Sequence, residues 1–238
     1  MANKILLEFK KLSTANVSDV FRGMGYRNQV LGPSIKPIIQ GLKLIGRAHT
    51  HSNLPFRKYE KSVVRESEEN IKQGEVIVEG YWGAWGFNFT MSAQLKGCVG
   101  VVVDGSCRDL ADHRSVFSEF PVFCRQGPSF ERPERSTNPG GSHRGWPTRF
   151  VKDYNVPINC DGVLVNPGDI VLGDDDGVVI IPQEVEKEVL KFTIEYEKLD
   201  SGVAEALKAG KSVKEAHSIK TNWENKIGIV KWLKSIEE

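Results

Sequence analysis

The feature that most constrains the fold is an apolar run rich in valine, GCVGVVVDG, at residues 97–105. Its length and its valine content predict a strand that is buried on both faces. The segment at residues 110–120 predicts a helix, and PVFC at residues 121–124 predicts the next strand. Because strand, helix and strand alternate, the sequence predicts an α/β fold.

Further elements precede this core. KKLSTANVSDVFRGMG predicts a helix that Ser13 or Thr14 can cap and that Gly25 can end. GLKLIGRAHTH and GEVIVEG predict strands, with KPIIQG as a turn into the first of them. The polar residues 57–73 are typical of a helix. These patterns extend the α/β prediction toward the N-terminus.

The C-terminal part predicts a β-meander followed by helices. Turn signals separate short apolar runs in residues 156–182, and apolar residues at 4-3-4-3 spacing then predict a helix with one buried face. The charged tail carries Trp223 and Trp232, which we expect to dock. We therefore predict one domain at residues 1–210 and a helical extension at residues 211–238.

Composition excludes several classes of function. The formal net charge is +1, so no global electrostatic attraction to nucleic acid or to a membrane surface is expected. No apolar run approaches the ~20 residues that span a bilayer, and the N-terminus lacks a small-residue cleavage site. We expect a cytoplasmic protein with no nucleic-acid or membrane partner.

The four cysteines, Cys98, Cys107, Cys124 and Cys160, form no C-x-x-C pair, so a zinc or dithiol motif is unsupported. Their apolar surroundings indicate buried, reduced thiols. One alternative is a nucleophilic Cys107 next to Arg108, with His113 as the local base.

Glycines and aromatic residues interleave in GYWGAWGFNFTMSAQLKG, residues 80–97. The part from Phe89 to Lys96 predicts a helix ended by Gly97. A glycine-rich loop before a helix N-terminus is a natural place for an anion, although this segment lacks P-loop and dinucleotide-binding spacing. The alternative is a tight turn with aromatic packing.

Arg108 and Asp109 come directly after the predicted buried strand, at the sheet edge where open α/β sheets bind ligands. The planar fork of Arg108 suits a carboxylate, and the oxygens of Asp109 suit a hard divalent cation. The alternative is a local structural ion pair. The aspartates at 174–176 also invite a metal, but aspartates before glycine favour a tight turn.

In this order, STANVSDVFRGMG, GLKLIGRAHT, GEVIVEG, GCVGVVVDGSCRD, FPVFCRQG and DGVLVNPGDIVLGDDDGVVIIP resemble the RraA-like family. The family includes class II 4-hydroxy-4-methyl-2-oxoglutarate aldolases, with oxaloacetate decarboxylase activity, and ribonuclease E activity regulators. The resemblance covers roughly residues 10–210. It implies a swivelling β/β/α sandwich instead of a Rossmann unit, and a homotrimer or hexamer with active sites between neighbouring subunits.

The resemblance also implies site residues. Asp109 matches the aspartate that holds Mg²⁺, Mn²⁺ or another divalent cation, and Arg108 matches the arginine that contacts the 2-oxo acid end of the substrate. The backbone N–H groups of the turn formed by Gly86, Phe87, Asn88 and Phe89 match those that hold the pyruvyl carboxylate. Regulator-type members lack the metal aspartate, so the resemblance favours an enzyme.

The chain departs from the family pattern at three places. Phe87 and Asn88 follow Gly86 where the aldolases carry an acidic residue. Asp200 is the nearest equivalent of a catalytic glutamate that a neighbouring subunit contributes. Residues 131–149 form a longer segment than is usual in the family. This segment either recognises a second acidic group of the substrate or is a solvated insertion. Its arginines and histidine are Arg132, Arg135, His143, Arg144 and Arg149.

The expected activity is a metal-dependent carbon–carbon lyase that cleaves a 4-hydroxy-2-oxo acid to pyruvate and a second carbonyl compound. Decarboxylation of oxaloacetate is an expected side activity. A non-catalytic regulator and another 2-oxo acid lyase on the same scaffold remain alternatives.

Overall fold

The structure is a computed structural model and describes residues 2–53, 62–125 and 151–237. The predicted arginine- and histidine-rich segment lies outside the described residues. The strands are β1 (Ile35–Pro37), β2 (Leu44–Asn53), β3 (Glu75–Trp85), β4 (Gly100–Cys107), β5 (Val122–Arg125), β6 (Val151–Tyr154), β7 (Ile158–Cys160), β8 (Val163–Val165), β9 (Ile170–Asp174) and β10 (Gly177–Ile181).

Helices pack on one face of the main sheet, and the β7–β8 hairpin and the sheet itself enclose the other face. The helices are α1 (Ala2–Phe9), α2 (Thr14–Gly23), α3 (Val64–Glu69), α4 (Phe87–Leu95), α5 (Leu110–Val116), α6 (Glu186–Lys208), α7 (Val213–His217), α8 (Trp223–Lys226) and α9 (Ile229–Glu237), with short 3₁₀ turns at Gln183–Val185 and Ser218–Lys220. The α/β prediction is confirmed.

The main sheet has the strand order β1-β5-β4-β3-β2-β9-β10, and β6 pairs with β2. Strands β2 to β5 run parallel to one another, whereas β1, β9 and β10 pair antiparallel with their neighbours. The segment before β1 reaches β10, since the Leu31 N–H donates to the Val178 carbonyl at 2.9 Å. The sheet therefore nearly closes on itself.

Three large buried clusters of the described residues stabilise this architecture. One joins α1, α2 and α6 to β9 and β10, and a second lies between the sheet and the β7–β8 hairpin. The third packs α4 and α5 against β3, β4 and β5. This last cluster positions the loops that follow β3 and β4.

Helix α2 forms as its local sequence predicts. Ser13 caps it by accepting a hydrogen bond from the Asn16 N–H at 3.1 Å, and Gly25 follows it at φ +85°. The Asp174 carboxylate accepts from the Thr14 N–H and hydroxyl at 2.9 and 2.6 Å. The aspartates at 174–176 thus form a turn that anchors α2, as the turn interpretation predicts.

The C-terminal tail docks on α6 through its two tryptophans. Trp223 makes an edge-on contact with Tyr196, with ring centroids 4.6 Å apart, and Trp232 makes one with Phe192 at 6.1 Å. The predicted docking of both tryptophans is confirmed.

Strand β3 is longer than predicted. The sequence places its end at Gly80, but pairing with β4 continues to Trp85 after an irregularity between Glu79 and Gly83. A Cβ on Gly105 would lie 1.8 Å from the Gly83 carbonyl oxygen. These glycines therefore permit close strand contact, and the predicted loop before α4 is mostly strand.

Candidate functional site

The candidate site forms where β3 and β4 end side by side. The Arg108 N–H donates to the Trp85 carbonyl at 3.2 Å, which extends the strand pairing by one residue. Helix α4 then begins at Phe87, two residues before the predicted start. The ends of two parallel strands thus place Arg108 and Asp109 against Gly86.

Asp109 is held in an unusual backbone conformation, with φ 61° and ψ 38°. This left-handed region is sparsely populated by residues other than glycine, although aspartate tolerates it better than most. Its Oδ2 accepts a hydrogen bond from the Phe87 N–H at 3.1 Å and lies 3.5 Å from Arg108 Nε. Asp109 thereby caps the N-terminus of α4 from a different chain segment.

Gly86 leaves room for this close approach. A Cβ at this position would lie 3.0 Å from Asp109 Oδ2 and 3.1 Å from Arg108 Nε. The Arg108 and Asp109 side chains are 47% and 37% exposed, so both reach solvent while resting on the glycine. The site is open to a small ligand.

The N-terminus of α4 offers fewer free donors than the sequence predicts. The Phe87 N–H is occupied by Asp109, and the Phe89 N–H bonds to the Gly86 carbonyl at 3.1 Å. Among the four residues of the predicted anion turn, Gly86 and Asn88 keep backbone N–H groups with no hydrogen bond to the described part of the chain. The structure brings the turn and the Arg108–Asp109 pair together.

A series of buried, hydrogen-bonded side chains contacts Asp109, and the sequence does not predict it. Trp85 Nε1–H donates to Thr90 Oγ1 at 2.7 Å, and Thr90 Oγ1 lies 2.8 Å from His113 Nε2. His113 Nδ1 lies 2.9 Å from the Asp109 carbonyl oxygen. Trp85, Thr90 and His113 are all buried.

The structure does not favour a nucleophilic cysteine. All four cysteines are free and buried. Burial is the main reason why the pKa of the Cys107 thiol is raised well above its ordinary range, although Arg108 opposes this rise. His113 Nε2 lies 3.9 Å from Cys107 Sγ but only 2.8 Å from the Thr90 hydroxyl, so Thr90 is its closer partner.

Asp200 lies elsewhere in the chain. It is on α6, which packs in the cluster with α1 and α2, and its Oδ1 accepts a hydrogen bond from Lys220 Nζ at 2.7 Å. The structure therefore does not bring Asp200 to Arg108 and Asp109 within one copy of the chain.

A hydrated divalent cation fits the donor set at Asp109. Within the described ranges, no group of three or more histidine, cysteine, aspartate or glutamate side chains forms a metal cluster. Mg²⁺ does not require one, because it keeps several waters and is often bound by one or two carboxylates. The exposed carboxylate of Asp109 meets that requirement, with Oδ1 as the oxygen that does not cap α4.

A second polar cluster lies between β2, β3 and α3. Ser67 Oγ is 2.8 Å from His49 Nε2 and 2.6 Å from His51 Nε2, while the Nδ1 atoms face Glu75 at 3.1 Å and Glu79 at 3.4 Å. Burial raises the pKa of Glu75, but hydrogen bonds, led by that from His49, outweigh burial and hold this pKa below its ordinary range. Alternation along β2 predicts that both histidines share a face, but no local signal identifies Ser67 as their partner.

Comparison with known proteins decides the family. A family model described as RraA-like, Aldolase/RraA, matches residues 14–180. The chain belongs to the RraA-like family. Among its relatives, the protein DlpA of Legionella pneumophila is 29% identical over 220 residues, which are 89% of this chain and 33% of that protein. The RraA-like chain thus spans about a third of the length of DlpA.

Two further similar proteins have names that refer to an activity. A protein of Halalkalibacterium halodurans, provisionally named 4-hydroxy-4-methyl-2-oxoglutarate aldolase, is 29% identical over 78% of this chain and 80% of its own length. A Streptomyces coelicolor structure, described as an unusual member of the RNase ES inhibitor RraA protein family, has a TM-score of 0.68 and 25% identity over 83% of this chain and 94% of that chain. The predicted RraA-like fold is confirmed.

None of the helices in the described ranges is both long enough and apolar enough to cross a membrane.

Proposed function

We propose that this RraA-like chain is a divalent-metal-dependent lyase that cleaves a 4-hydroxy-2-oxo acid to pyruvate and a second carbonyl compound. The observation that carries the proposal is the Arg108–Asp109 pair at the end of β4, seated on Gly86 at the start of α4. The aldolase names of several relatives support the same class of reaction.

The cleavage reaction involves three chemical events that the site must support. A group must take the proton of the 4-hydroxyl, the C3–C4 bond must break, and the electron pair of that bond must be accommodated on the 2-oxo acid half until C3 is protonated. A bound Mg²⁺ or Mn²⁺ would supply Lewis acidity toward the 2-oxo acid. Decarboxylation of oxaloacetate places the same electron pair on the same half, so we propose it as a side activity.

Each residue of the site has a proposed role. Asp109 Oδ1 would hold the cation. The Arg108 guanidinium would stabilise the negative charge that develops on the 2-oxo acid half, where a fixed cation lowers the barrier most. The Asn88 N–H, which the helix leaves available, would bind the substrate carboxylate together with the positive end of the α4 dipole.

We propose that the proton acceptor comes from a neighbouring copy in a homotrimer or hexamer. Asp200 is the acidic residue assigned to this role, and it would have to exchange its contact with Lys220 for one across the subunit boundary. Loss of lyase activity in Asp200→Asn, with the assembly intact in sedimentation, would support this assignment, and full activity would exclude it.

The test of the proposed function is Asp109→Asn. The amide keeps the shape and removes the negative charge, so we expect Mg²⁺-dependent decarboxylation of oxaloacetate to be lost while the circular dichroism spectrum is unchanged. Asp112→Asn, an acidic residue in the first turn of α5, serves as the matched control. Equal activity of Asp109→Asn and wild type at the same Mg²⁺ concentration would remove Asp109 from the site.

A second function is a non-catalytic regulator that binds another protein. It is favoured by the similarity to the Streptomyces protein described as a member of an RNase inhibitor family. The two functions differ in one measurement: a regulator shows no turnover of oxaloacetate or of a panel of 4-hydroxy-2-oxo acids, with or without a divalent cation.

A further inference from the structure

Asp109 is clamped at both its backbone and its side chain. Its Oδ2 accepts from the Phe87 N–H on α4, and its carbonyl accepts from His113 on α5 through both the backbone N–H at 3.0 Å and the ring Nδ1 at 2.9 Å. Thr90, also on α4, lies against the same histidine ring. The contacts therefore close a ring that runs from Asp109 through α4, across to α5, and back to Asp109.

The direction of the hydrogen bonds in this ring is determined by chemistry. A carbonyl oxygen only accepts, so His113 Nδ1 carries the hydrogen that points at Asp109. In the neutral imidazole Nε2 is then an acceptor, and the Thr90 hydroxyl donates to it. Thr90 Oγ1 in turn accepts from Trp85 Nε1–H, which can only donate. Trp85, Thr90 and His113 thus form a hydrogen-bonded relay to Asp109. A single arrangement of hydrogens satisfies every polar side-chain atom of this relay.

We propose that Trp85, Thr90 and His113 are positioning residues that hold Asp109 in its left-handed conformation and so aim its carboxylate at the cation. The inference rests on the proposed function, because it assigns the relay a role in the same site. Without the relay, the strained backbone at Asp109 would relax toward more populated φ and ψ values, and the carboxylate would move with it.

Burial explains why the relay can hold this position. Trp85, Thr90 and His113 exclude water, so each hydrogen bond is strong and an unmade bond is costly. The relay also spans two helices that pack on the same sheet edge, in the cluster with β3 and β4. A substitution at Thr90 should therefore change the position of Asp109 although Thr90 itself does not contact the ligand.

The experiment uses Thr90→Val, which keeps the shape and removes the hydroxyl, and Thr90→Ser, which restores it. Thr193→Val is the matched control, since Thr193 is also buried in a helix and its hydroxyl donates to the Val189 carbonyl at 2.7 Å. Mn²⁺ affinity is measured by calorimetry without substrate, together with kcat and KM for oxaloacetate and the melting temperature.

We expect Thr90→Val to weaken Mn²⁺ binding at least tenfold and to lower kcat, and Thr90→Ser to remain within about threefold of wild type. Thr193→Val should lower the melting temperature and leave Mn²⁺ affinity unchanged. Wild-type Mn²⁺ affinity in Thr90→Val would overturn the inference, and so would equal losses in Thr90→Val and Thr90→Ser.

Two further measurements cover the other outcomes. If Thr90→Val does not fold, Trp85→Phe removes the indole N–H together with the five-membered ring that carries it, and it should still weaken Mn²⁺ binding; no effect would refute the relay. The ¹⁵N shifts of His113 in the wild type must show the Nδ1–H tautomer, and the other tautomer would also refute it. Wild-type protein that binds no Mn²⁺ would refute the proposed metal site itself, whereas failure of the relay alone leaves wild-type binding and the loss in Asp109→Asn intact.

Discussion

The close contact between Gly83 and Gly105 allows a specific prediction about how a substitution affects the stability of the fold. A Cβ at Gly105 would lie 1.8 Å from the Gly83 carbonyl oxygen and 2.6 Å from its carbonyl carbon. Both atoms belong to backbone, so β3 and β4 would have to move apart by more than 1 Å, on the order of the shortfall from van der Waals contact. Gly105→Ala should therefore break the last three pairs of this strand ladder, Gly83 to Trp85.

Overpacking of a core costs about 1–3 kcal/mol and sometimes more. Because the clash is with backbone, we expect Gly105→Ala to cost about 3 kcal/mol of unfolding free energy, which lowers the melting temperature by roughly 6–12 °C for a chain of this size. Gly202→Ala is the control: it lies inside α6, its Cβ would only touch Ile219 at 3.6 Å, and we expect a gain of about 0.5–1 kcal/mol. The measurements are thermal and urea unfolding. A Gly105→Ala variant within about 0.5 kcal/mol of wild type would show that the paired extension of β3 is wrong.

Two further predictions concern charge. Arg108→Lys keeps the positive charge but loses the planar fork, so turnover of oxaloacetate should fall at least tenfold, about 1.4 kcal/mol of barrier; wild-type kinetics would make the arginine structural. Glu75→Gln should remove part of the acid sensitivity of the fold. Since the folded state holds the pKa of Glu75 below 4.5, its carboxylate stabilises the wild type above that pH, and the contribution is lost as pH falls through the lower folded value. Unfolding free energies measured from pH 6 down to pH 3 should therefore fall less steeply for Glu75→Gln; parallel curves would contradict the contact with His49.

The elements that the sequence predicts well are those with local causes. Helix α2 has its cap, its apolar spacing and its terminal glycine within a dozen or so residues, and β4 is a continuous apolar run. The end of β3 was predicted wrongly because its cause is not local. Residues 80–85 have the glycine content of a loop, and they form a strand only because Gly105 on β4 accepts their close approach.

The candidate site likewise has features with a local cause, which the sequence predicts, and features without one. Arg108 and Asp109 could be placed at a sheet edge because they follow a recognisable strand. The left-handed backbone of Asp109 could not be predicted, since it depends on contacts from α4 and α5. One signal was present: His113 is four residues after Asp109 in a predicted helix, a spacing at which a side chain can contact the first turn. Trp85 and Thr90 have no such signal, because their relation to His113 arises only when both helices pack on the sheet.

The structure also bears on whether Arg108 and Asp109 form only a local ion pair. The two side chains are 47% and 37% exposed and their charged atoms are 3.5 Å apart, and an exposed pair of this kind contributes about 0–1 kcal/mol. The hydrogen bond that the Phe87 N–H donates to Asp109 Oδ2 gives the carboxylate a capping role worth about 1 kcal/mol, but it uses one oxygen. Neither contribution requires a left-handed backbone, because a residue in an ordinary conformation can form a surface ion pair. A strained aspartate that His113 clamps and whose side chain reaches solvent supports the proposed role of Asp109 in holding a cation.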